Sequence, residues 1–519
     1  MNKIKILWVD DEIDLLKPHI MFLQAKGYDV LTAVSGIEAL EAIDDNSYDI
    51  VFLDENMPGL SGIETLLKLK NIEPNLPVVM ITKSEEETIM EDAIGANIAD
   101  YLIKPVNSSQ ILLCLKKNLD LRKIRNEKKT HAYQKEFRSI GMEIGNDLDL
   151  QQWKDIYKKL VYWETELDSV YDESMLEILK MQKEEANQMF SKFVEKNYYS
   201  WLHDDDNEKP LLSHTLLKRK LFPVLKDTDK PVFLLLIDNL RFDQWKILQP
   251  IIEQNYRIEE EGLYMSILPS VTQYARNSLF SGMMPSEIEK KYPQYWVNEN
   301  EEGTKNQYEK ELLGEYLKRF GMRDLKYSYN KILNVNAGRK LADNLSNLMN
   351  NRLNVIVYNF IDMLSHARTE MEIIRELADD ESAYRSITLS WFEHSPLKDI
   401  IDRLSEQDVK VIITTDHGSV KVDSPVRIVG DRKTNKNLRY KIGKSLNYNE
   451  KEVFAMRNPE DFFLPKMNVS SSYAFCRKYD FFAYPNNFSY YANYYKDTFQ
   501  HGGISLEEMM IPYISLKVK

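Results

Sequence analysis

Short apolar runs that end at an aspartate recur towards both ends of this chain. Near the N-terminus, KILWV runs into Asp10 and Asp11, and IVFL runs into Asp54. Much further along, VFLLLI ends at Asp238 and VIITT ends at Asp416. Helical periodicity fills the intervals between these runs, and this alternation predicts parallel sheets with helices on their faces. Because parallel strands end at one edge of a sheet, acids that follow them are brought together there.

The length and composition narrow the class of protein. A chain of 519 residues is too long for one hydrophobic core and predicts about two to four domains. It has two cysteines, Cys114 and Cys476, so we expect no disulfide framework and a cytoplasmic location. The N-terminal stretch MNKIKILWVDDE meets acids too early for a signal peptide, and no apolar run is long enough for membrane insertion. The net charge of −13 argues against a chain that binds duplex DNA as a whole.

The distribution of helix-breaking residues divides the chain. Between Pro105 and Pro210 there is no proline, and the glycines are Gly141 and Gly145. Helix-forming residues fill this interval and predict a small helical bundle, which is either a passive spacer or a coupling or dimerising element. The predicted parts are an α/β domain over residues 1–120, a helical bundle linker over residues 121–208 and a second α/β domain over residues 209–519.

Carboxylates and a lysine are expected together at the strand ends of the N-terminal sheet. Asp10, Asp11 and Asp54 would repel one another there unless a hard cation such as Mg²⁺ is bound. Thr82 ends a third predicted strand, and Lys104 follows a fourth. A lysine and a hydroxyl in such positions can bind a phosphoryl group that one of the acids carries.

The spacing of these residues resembles the receiver domain of two-component response regulators. The resemblance covers residues 1 to about 120 and implies a flavodoxin-like fold in which Asp54 is phosphorylated by a sensor histidine kinase. It also implies that Thr82 and Tyr101 form the switch pair and that Lys104 contacts the phosphoryl group. The magnesium ligands that it implies are Asp10, Asp11, Asp54 and the backbone carbonyl of Asn56.

A second set of metal-binding residue types lies in the last region. Its members near predicted strand ends are Asp238, Asp362, His366, Asp416, His417 and His501. Asp362 and His366 are spaced i, i+4 and would share one face of a helix that begins there. His501 precedes two glycines, which allow the backbone to approach an ion. Imidazole and carboxylate ligands suit Zn²⁺, with Mn²⁺ as the alternative.

Thr272 lies in the stretch LPSVTQYARNSLFSG, at a predicted strand-to-helix turn. A hydroxyl at a helix N-terminus is exposed where amide groups and the helix dipole favour an anion. A metal-bound threonine hydroxyl loses its proton more readily than a free one and becomes a usable nucleophile. Two ions a few ångströms apart would stabilise both the attacking and the leaving oxygen of a displacement at phosphorus.

The order Asp, Thr, Asp, His, Asp-His, His resembles the alkaline phosphatase superfamily from about residue 220 to the C-terminus. It is most similar to the nucleotide pyrophosphatase/phosphodiesterase branch and to PglZ domains, as are LIDNLRFDQW and SVTQYARNSLFSG. The resemblance implies an alkaline-phosphatase-like α/β domain with Thr272 as the catalytic nucleophile. The ligands that it implies are Asp238, Thr272, Asp416 and His417 for one zinc and Asp362, His366 and His501 for a second zinc.

The sequence shows no cationic phosphate clamp of the kind found in phosphomonoesterases of the superfamily. Arg276 and Asn277 are the nearest substitutes, and we predict that they contact the substrate. A weak clamp favours a diester, whose phosphate carries one negative charge, so we predict a phosphodiesterase acting on nucleotides or oligonucleotides. Aromatic residues around Arg477 and Lys478 either stack on bases or pack in a core.

The succession of receiver, helices and PglZ domain resembles the PorX-type response regulators associated with type IX secretion. It implies that phosphorylation of Asp54 controls the C-terminal activity, with a phosphorylation-dependent homodimer as the expected route. The competing hypothesis is a regulatory interaction protein with a structural metal site, which binds a sensor kinase and a transcription (sigma) factor or secretion component. Thr272 favours the enzyme, because a protein that no longer catalyses has no need of its nucleophile.

Overall fold

A computed structural model of the chain describes residues 4–83, 98–168, 173–203, 209–299, 301–370, 380–431 and 434–519. Within these ranges, the side chains of residues 44–45, 120–128, 173 and 366–370 are not described. The chain divides into two compact units. The first unit is Met1–Lys135 with Ser169–Tyr171, and the second is Glu136–Asp168 with Asp172–Lys519.

The first unit is built on a parallel sheet. Among the described residues the strand order is β2-β1-β3-β4-β5, which is the order of flavodoxin-like folds. The strands are β1 Lys5–Val9, β2 Asp29–Ala33, β3 Ile50–Asp54, β4 Val78–Thr82 and β5 Asp100–Ile103. The helical segments of this region are Ile13–Leu16 (a 3₁₀ turn), Lys17–Ala25, Gly36–Asp45, Gly62–Ile72 and Ser108–Ile144.

The central strands of this sheet are buried on both faces, which explains their continuous apolar runs. Leu7 and Val9 of β1 point into one core cluster, and Ile6 and Trp8 point into the cluster on the opposite face. β1 pairs with β3, and β3 pairs with β4, all in parallel. The residues that follow these strands therefore share one edge of the sheet.

The helix Ser108–Ile144 is longer than the sequence indicated. The sequence SSQILLCLKKNLDLRKI predicts a final helix of the first domain that ends near Ile124, whereas the structure continues this helix for about five further turns. Neither glycine nor proline occurs before Gly141, so no residue in this stretch breaks the helix. Two more long helices follow, Leu150–Asp168 and Glu173–His203, as the composition of this region predicted.

The second unit contains a larger, mixed sheet. In the described part of this unit its strand order is β7-β19-β10-β6-β9-β8. The strands are β6 Val232–Ile237, β7 Tyr256–Met265, β8 Tyr327–Ile332, β9 Leu353–Tyr358, β10 Lys410–Thr414 and β19 Met510–Val518. Strands β10, β6, β9 and β8 run parallel, and β19 is antiparallel to both β10 and β7. The parallel part provides the shared edge that the sequence predicted.

The described part of the second unit also contains helices and three small sheets. The helices are Ser213–Leu216, Phe222–Asp227, Phe242–Ile252, Thr272–Ser281, Pro285–Lys291, Glu309–Arg319, Val335–Asp343, Leu345–Leu348, Phe360–Glu370, Glu381–Glu393, Pro396–Ser405, Phe488–Tyr495 and Leu506–Met509, with a π-helical turn at Leu217–Leu221 and 3₁₀ turns at Pro293–Tyr295 and Pro459–Phe462. The short strands are β11 Val420–Lys421, β12 Ser424–Val429, β13 Tyr440–Lys444, β14 Asn447–Tyr448, β15 Val453–Met456, β16 Ser471–Cys476, β17 Asp480–Ala483 and β18 Phe499–Gln500.

The aromatic segment around Arg477 is largely core. Phe475 and Phe481 are fully buried, whereas Tyr490 and Tyr491 in the helix Phe488–Tyr495 are exposed. The guanidinium of Arg477 is partly buried and donates to the backbone carbonyls of Lys451 and Val453. Packing therefore explains most of this segment. Within the described residues, no helix is both long enough and apolar enough to cross a membrane.

Candidate functional site

The first candidate site lies at the carboxyl edge of the parallel sheet in the first unit. Asp10 follows β1 and Asp54 ends β3, and both side chains are buried, whereas Asp11 is exposed. The Lys104 Nζ donates to Asp10 Oδ2 at 2.8 Å and lies 2.8 Å from Asp54 Oδ1. Ligand atoms of the three acids lie within 4.8 Å of one another. Carboxylate oxygens grouped in this way fit a hard divalent cation.

The charges at this edge are only partly balanced. Burial raises the pKa of Asp54, the hydrogen bond from Lys104 opposes this, and Asp10 and Asp11 raise the pKa further. Burial would lower the pKa of Lys104, but Asp10 and Asp54 outweigh it and raise that pKa. One lysine among three acids leaves an excess of negative charge, which a bound cation would compensate.

The other predicted receiver residues lie on the same sheet or next to it. Thr82 ends β4 with its side chain buried, and its carbonyl accepts a hydrogen bond from the Lys104 backbone N–H at 2.8 Å. Tyr101, in β5, is 41% exposed, and Asn56 lies on the exposed loop after β3. Thr82 and Tyr101 thus lie on neighbouring strands, and their role as a switch pair stays a prediction.

The second candidate site lies at the carboxyl edge of the mixed sheet. Asp238 follows β6, and Asp416 and His417 follow the neighbouring strand β10, so three strand-end residues meet. Each of the three side chains is at most 1% exposed. The His417 Nε2 is 3.6 Å from Asp238 Oδ1 and 3.7 Å from Asp416 Oδ2. Together these side chains offer three ligand atoms within 4.8 Å of one another.

Thr272 stands beside this group. It is the first residue of the helix Thr272–Ser281 and is half-buried. Its Oγ1 lies 3.1 Å from His417 Nε2 and donates to Asp238 Oδ1 at 3.5 Å. The four residues predicted for the first zinc are therefore brought together, with the threonine hydroxyl at the N-terminus of a helix.

Two residues predicted for a second zinc also meet here. The His501 Nε2 is 3.4 Å from Asp362 Oδ1. Burial opposes protonation of His501, but its interaction with Asp362 outweighs burial and raises its pKa. The rings of His417 and His501 stack with their centroids 4.4 Å apart, so His417 borders both groups. His366 lies in the helix Phe360–Glu370, but its side chain is outside the described residues.

The donor atoms of the second candidate site, at the edge of the mixed sheet, fit a metal ion. Among the described residues, the buried Asp416 Oδ1 has no hydrogen-bond partner. Burial raises the pKa of Asp238 to about 7, with Arg276 opposing the rise and Asp416 adding to it. Burial lowers the pKa of His417 to about 4, and the neighbouring His501 lowers it further. A neutral imidazole beside carboxylates is a suitable ligand set for Zn²⁺.

Arg276 has a different role from the one that the sequence suggested. Its side chain is fully buried, Nε donates to Asp416 Oδ2 at 3.0 Å, and a second nitrogen pairs with Asp238. A third nitrogen is 3.5 Å from Glu309 Oε1. The predicted substrate contact is therefore corrected: Arg276 is a counter-ion of the ligand carboxylates and presents no surface to a substrate.

Asn277 is buried as well, and its Nδ2 donates to the carbonyl of Lys305 at 3.1 Å. A substrate contact is therefore not supported for Asn277 either.

Glu309 is a buried acid that the sequence did not single out. It is 1% exposed and accepts a hydrogen bond from Lys331 Nζ at 3.2 Å. The pattern of the stretch EKELLGEYL predicts an amphipathic surface helix with exposed acids, so it does not identify Glu309 as buried.

Another group of acids is satisfied by the protein's own cations. Glu164, Asp243 and Glu381 could hold a metal by distance alone. However, Arg241 Nε donates to Asp243 at 2.9 Å and its guanidinium also pairs with Glu381. Arg385 Nη1 donates to Glu164 at 2.9 Å and to Asp243 at 3.0 Å. These arginines supply the positive charge here, and sequence analysis missed both of them.

Comparison with known families assigns each part of the chain. The family described as the BREX system PglZ alkaline phosphatase-like domain matches residues 216–516, which is more than half of the chain. The PorX response regulator linker domain matches residues 123–202. The response regulator receiver domain matches residues 6–116. The two candidate sites lie within the receiver match and the PglZ match.

Curated relatives resemble the N-terminal part. The transcriptional regulatory protein CpxR homolog of Haemophilus influenzae is 38% identical over 112 residues, which is 22% of this chain and 48% of the relative. The transcriptional regulatory protein ZraR of Escherichia coli K12 is 38% identical over 123 residues, 23% of this chain and 27% of the relative. The chain thus spans less than half the length of these relatives. A solved receiver domain protein from Clostridium thermocellum is 32% identical, with 23% of this chain and 98% of that structure covered and a TM-score of 0.23.

Proposed function

We propose that this chain, a PorX-type response regulator that belongs to the PglZ family of alkaline phosphatase-like proteins, is a metal-dependent phosphodiesterase under phosphorylation control. The observation that carries the proposal is the position of the Thr272 hydroxyl. It stands at a helix N-terminus, 3.1 Å from His417 Nε2 and 3.5 Å from Asp238 Oδ1. The proposed nucleophile therefore lies next to two proposed metal ligands and at a helix end that can bind an anion.

Two zinc ions are proposed for this site, with Mn²⁺ as the alternative. Asp238, Thr272, Asp416 and His417 would hold one ion, and Asp362, His366 and His501 would hold the other. His417, which borders both groups, would fix the spacing between them. When bound, the metal supplies Lewis acidity at the phosphate and favours the ionised threonine hydroxyl.

The chain's own groups organise the reaction. The Thr272 hydroxyl loses its proton and Oγ1 attacks phosphorus to form the new oxygen–phosphorus bond. The bond to the leaving oxygen breaks, and that oxygen takes up a proton and leaves as the alcohol. Water then hydrolyses the phosphothreonine, regenerates the hydroxyl and releases the second product. The N-terminal amides of the helix Thr272–Ser281 would stabilise the negative charge that develops on the phosphate oxygens.

The position of Arg276 supports a diester substrate. Its guanidinium is paired with Asp238 and Asp416 and is not available for a second negative charge on a phosphate monoester. A phosphodiester carries one negative charge and needs less cationic compensation. Nucleotides and short oligonucleotides are the substrate class that we propose on this ground.

Phosphorylation of Asp54 by a sensor histidine kinase is the proposed control. Mg²⁺ held by Asp10, Asp11, Asp54 and the Asn56 carbonyl would support phosphoryl transfer, with Lys104 contacting the phosphoryl group. Thr82 and Tyr101 would then reorient, and a homodimer formed in the cytoplasm would carry the change to the C-terminal site. A link to type IX secretion, with a transcription (sigma) factor or secretion component as a further partner, belongs to this proposal, as do the boundaries near residues 120 and 208.

The activity is tested with chromogenic and natural diesters. Purified protein is assayed with bis-p-nitrophenyl phosphate, p-nitrophenyl phosphate and a panel of dinucleotides, before and after treatment with acetyl phosphate. We expect diesters to be cleaved faster than the monoester, chelation to remove the activity, and zinc to restore it. Faster cleavage of the monoester, or full activity after chelation, would contradict the proposal.

A further inference from the structure

The buried face of the helix Glu173–His203 carries polar side chains beside apolar ones such as Val194. Lys183, Asn187, Ser191 and Tyr198, here called the docking face, lie within an arc of roughly 80° at about 100° per residue. Each of these side chains is at most 9% exposed. An amphipathic helix that acted as a passive spacer would bury apolar groups, because burying polar groups is costly unless each finds a partner.

The docking face contacts both the preceding helix and the segment that follows His501. Lys183 Nζ donates to Glu164 Oε2 in the helix Leu150–Asp168 at 2.8 Å. Asn187 Oδ1 accepts from the Leu506 backbone N–H at 2.7 Å, and Asn187 Nδ2 donates to Glu507 Oε2 at 3.0 Å. Lys183 Nζ pairs with the other oxygen of Glu507 at 3.4 Å. The helix therefore fixes both the backbone and a side chain of the Leu506–Met509 turn.

The Leu506–Met509 turn also contacts the chain segments that contain the proposed metal ligands His417 and His501. The Gly418 N–H, next to His417, donates to the Glu508 carbonyl at 3.2 Å. A Cβ at Gly418 would lie 2.0 Å from the Glu507 carbonyl oxygen, so the two backbones touch and only glycine fits. Glu508 Oε1 accepts from the Gly503 N–H at 2.9 Å, two residues beyond the other histidine ligand. A shift of the turn would therefore move both histidine segments.

The docking face also reaches the segment that leads to Thr272. The Leu268 N–H donates to Tyr198 Oη at 2.8 Å. The Ser270 Oγ donates to the Gly503 carbonyl at 2.9 Å, which ties this segment to the histidine segment. One helix face thus holds the approaches to the nucleophile and to the metal ligands.

We propose that the docking face positions the candidate active site, so that Lys183, Asn187 and Tyr198 are positioning residues for Thr272, His417 and His501. This inference rests on the proposed function for its catalytic meaning. The positioning itself is a physical property that is measured without substrate. Of the two hypotheses for the helical region, it favours coupling over a passive spacer.

The test compares two lysines on the same helix. Lys183→Met removes the buried charge, and Lys196→Met is the matched control, because Lys196 pairs with Asp147 at the exposed surface. Hydrogen–deuterium exchange of peptides covering residues 415–419 and 501–509 is measured with the full chain. We expect faster exchange in both peptides of Lys183→Met and wild-type exchange in the control. Lys183→Arg should restore slow exchange.

Zinc affinity and turnover provide a second readout. By competition with a chromogenic chelator, we expect Lys183→Met to bind zinc about tenfold or more weakly, as outer-shell changes do. The kcat for a chromogenic diester should fall while KM changes little. If Lys183→Met does not fold, Tyr198→Phe removes one hydroxyl and should accelerate exchange of the Leu268 amide.

The inference would be overturned if Lys183→Met showed wild-type exchange and wild-type zinc affinity. If the lysine variant is unfolded, wild-type exchange of the Leu268 amide in Tyr198→Phe would overturn it. An inactive wild-type protein would instead contradict the proposed function. In that case the exchange comparison still decides whether the docking face positions the site.

Discussion

The two strand-end acid clusters are built from the same parts but differ in burial. In the first unit Asp11 is exposed, and the side chain of Lys104, which balances Asp10 and Asp54, is 15% exposed. In the second unit, Asp238, Asp416 and the balancing Arg276 are at most 1% exposed. A carboxylate edge with one cation is thus open to solvent in one place and enclosed in the other.

This difference in burial changes what the same charges can do. An open cluster exchanges its ion with solvent and admits a phosphoryl donor, which suits a transient modification. An enclosed cluster cannot be neutralised by water, so it depends on permanent partners such as a guanidinium or a retained metal. We therefore expect exchangeable Mg²⁺ in the first cluster and a resident metal in the second.

The largest expected effect concerns the open cluster. Asp54→Asn should abolish labelling by acetyl phosphate, because an amide cannot accept the phosphoryl group. Asp14→Asn is the matched control, since Asp14 is exposed and pairs with Lys17 at the surface. Labelling is followed by intact-protein mass spectrometry. Persistent labelling of the Asp54 variant would place the phosphoacceptor elsewhere.

The next effect concerns the enclosed cluster. Thr272→Ala should lower kcat/KM for a diester by about 1000-fold, or about 4 kcal/mol of transition-state stabilisation. Thr272→Ser keeps a hydroxyl and should retain most of the activity. Steady-state kinetics of both variants decide the point, and full turnover by the alanine variant would exclude the phosphothreonine route.

Arg276→Met should destabilise the metal-free protein by about 3–5 kcal/mol, because it leaves buried carboxylates without their counter-ion. Zinc should reduce this loss, since a metal replaces the missing charge. The control is Arg403→Met, which breaks an exposed pair with Asp343. Chemical denaturation with and without zinc measures the effect. A variant of wild-type stability with a raised KM would instead return Arg276 to the role of a substrate contact.

The smallest effect is a pH dependence in the open cluster. Burial raises the pKa of Asp54, so the ionised carboxylate destabilises the fold above that pKa and the penalty disappears as the pH falls through it. Asp54→Asn should therefore slow the exchange of amides in β1 and β3 modestly at pH 7. The difference in exchange rate between Asp54→Asn and the wild type should become smaller towards pH 4. A difference that is independent of pH would show that the charge of Asp54 is not its cause.

Much of the two sites was foreseeable because their signals are local. A strand that ends at Asp10, Asp54, Asp238 or Asp416 is visible in a few residues, and parallel pairing then dictates a shared edge. The turn that presents Thr272 also has a local signature. The receiver, linker and PglZ families match residues 6–116, 123–202 and 216–516, whereas the boundaries near residues 120 and 208 stay a prediction.

The remaining features depend on partners that are distant in the chain. The pairing of Arg276 with Asp416 spans 140 residues, and the hydrogen bond between Asn187 and Glu507 spans 320. Periodicity predicts which face of a helix is buried, but it does not predict which charged side chains from distant parts of the chain contact that face. For the same reason, sequence analysis did not predict that the His417 ring stacks on the His501 ring and borders both ligand groups.

The most direct test of a resident metal in the enclosed cluster is the metal content of the purified chain. Inductively coupled plasma mass spectrometry is applied to the wild type, Asp416→Asn and Asp54→Asn after extensive dialysis. We predict two zinc ions per chain in the wild type, fewer in Asp416→Asn and an unchanged content in Asp54→Asn. Wild-type protein without a bound transition metal, or an unchanged content in Asp416→Asn, would contradict the assignment.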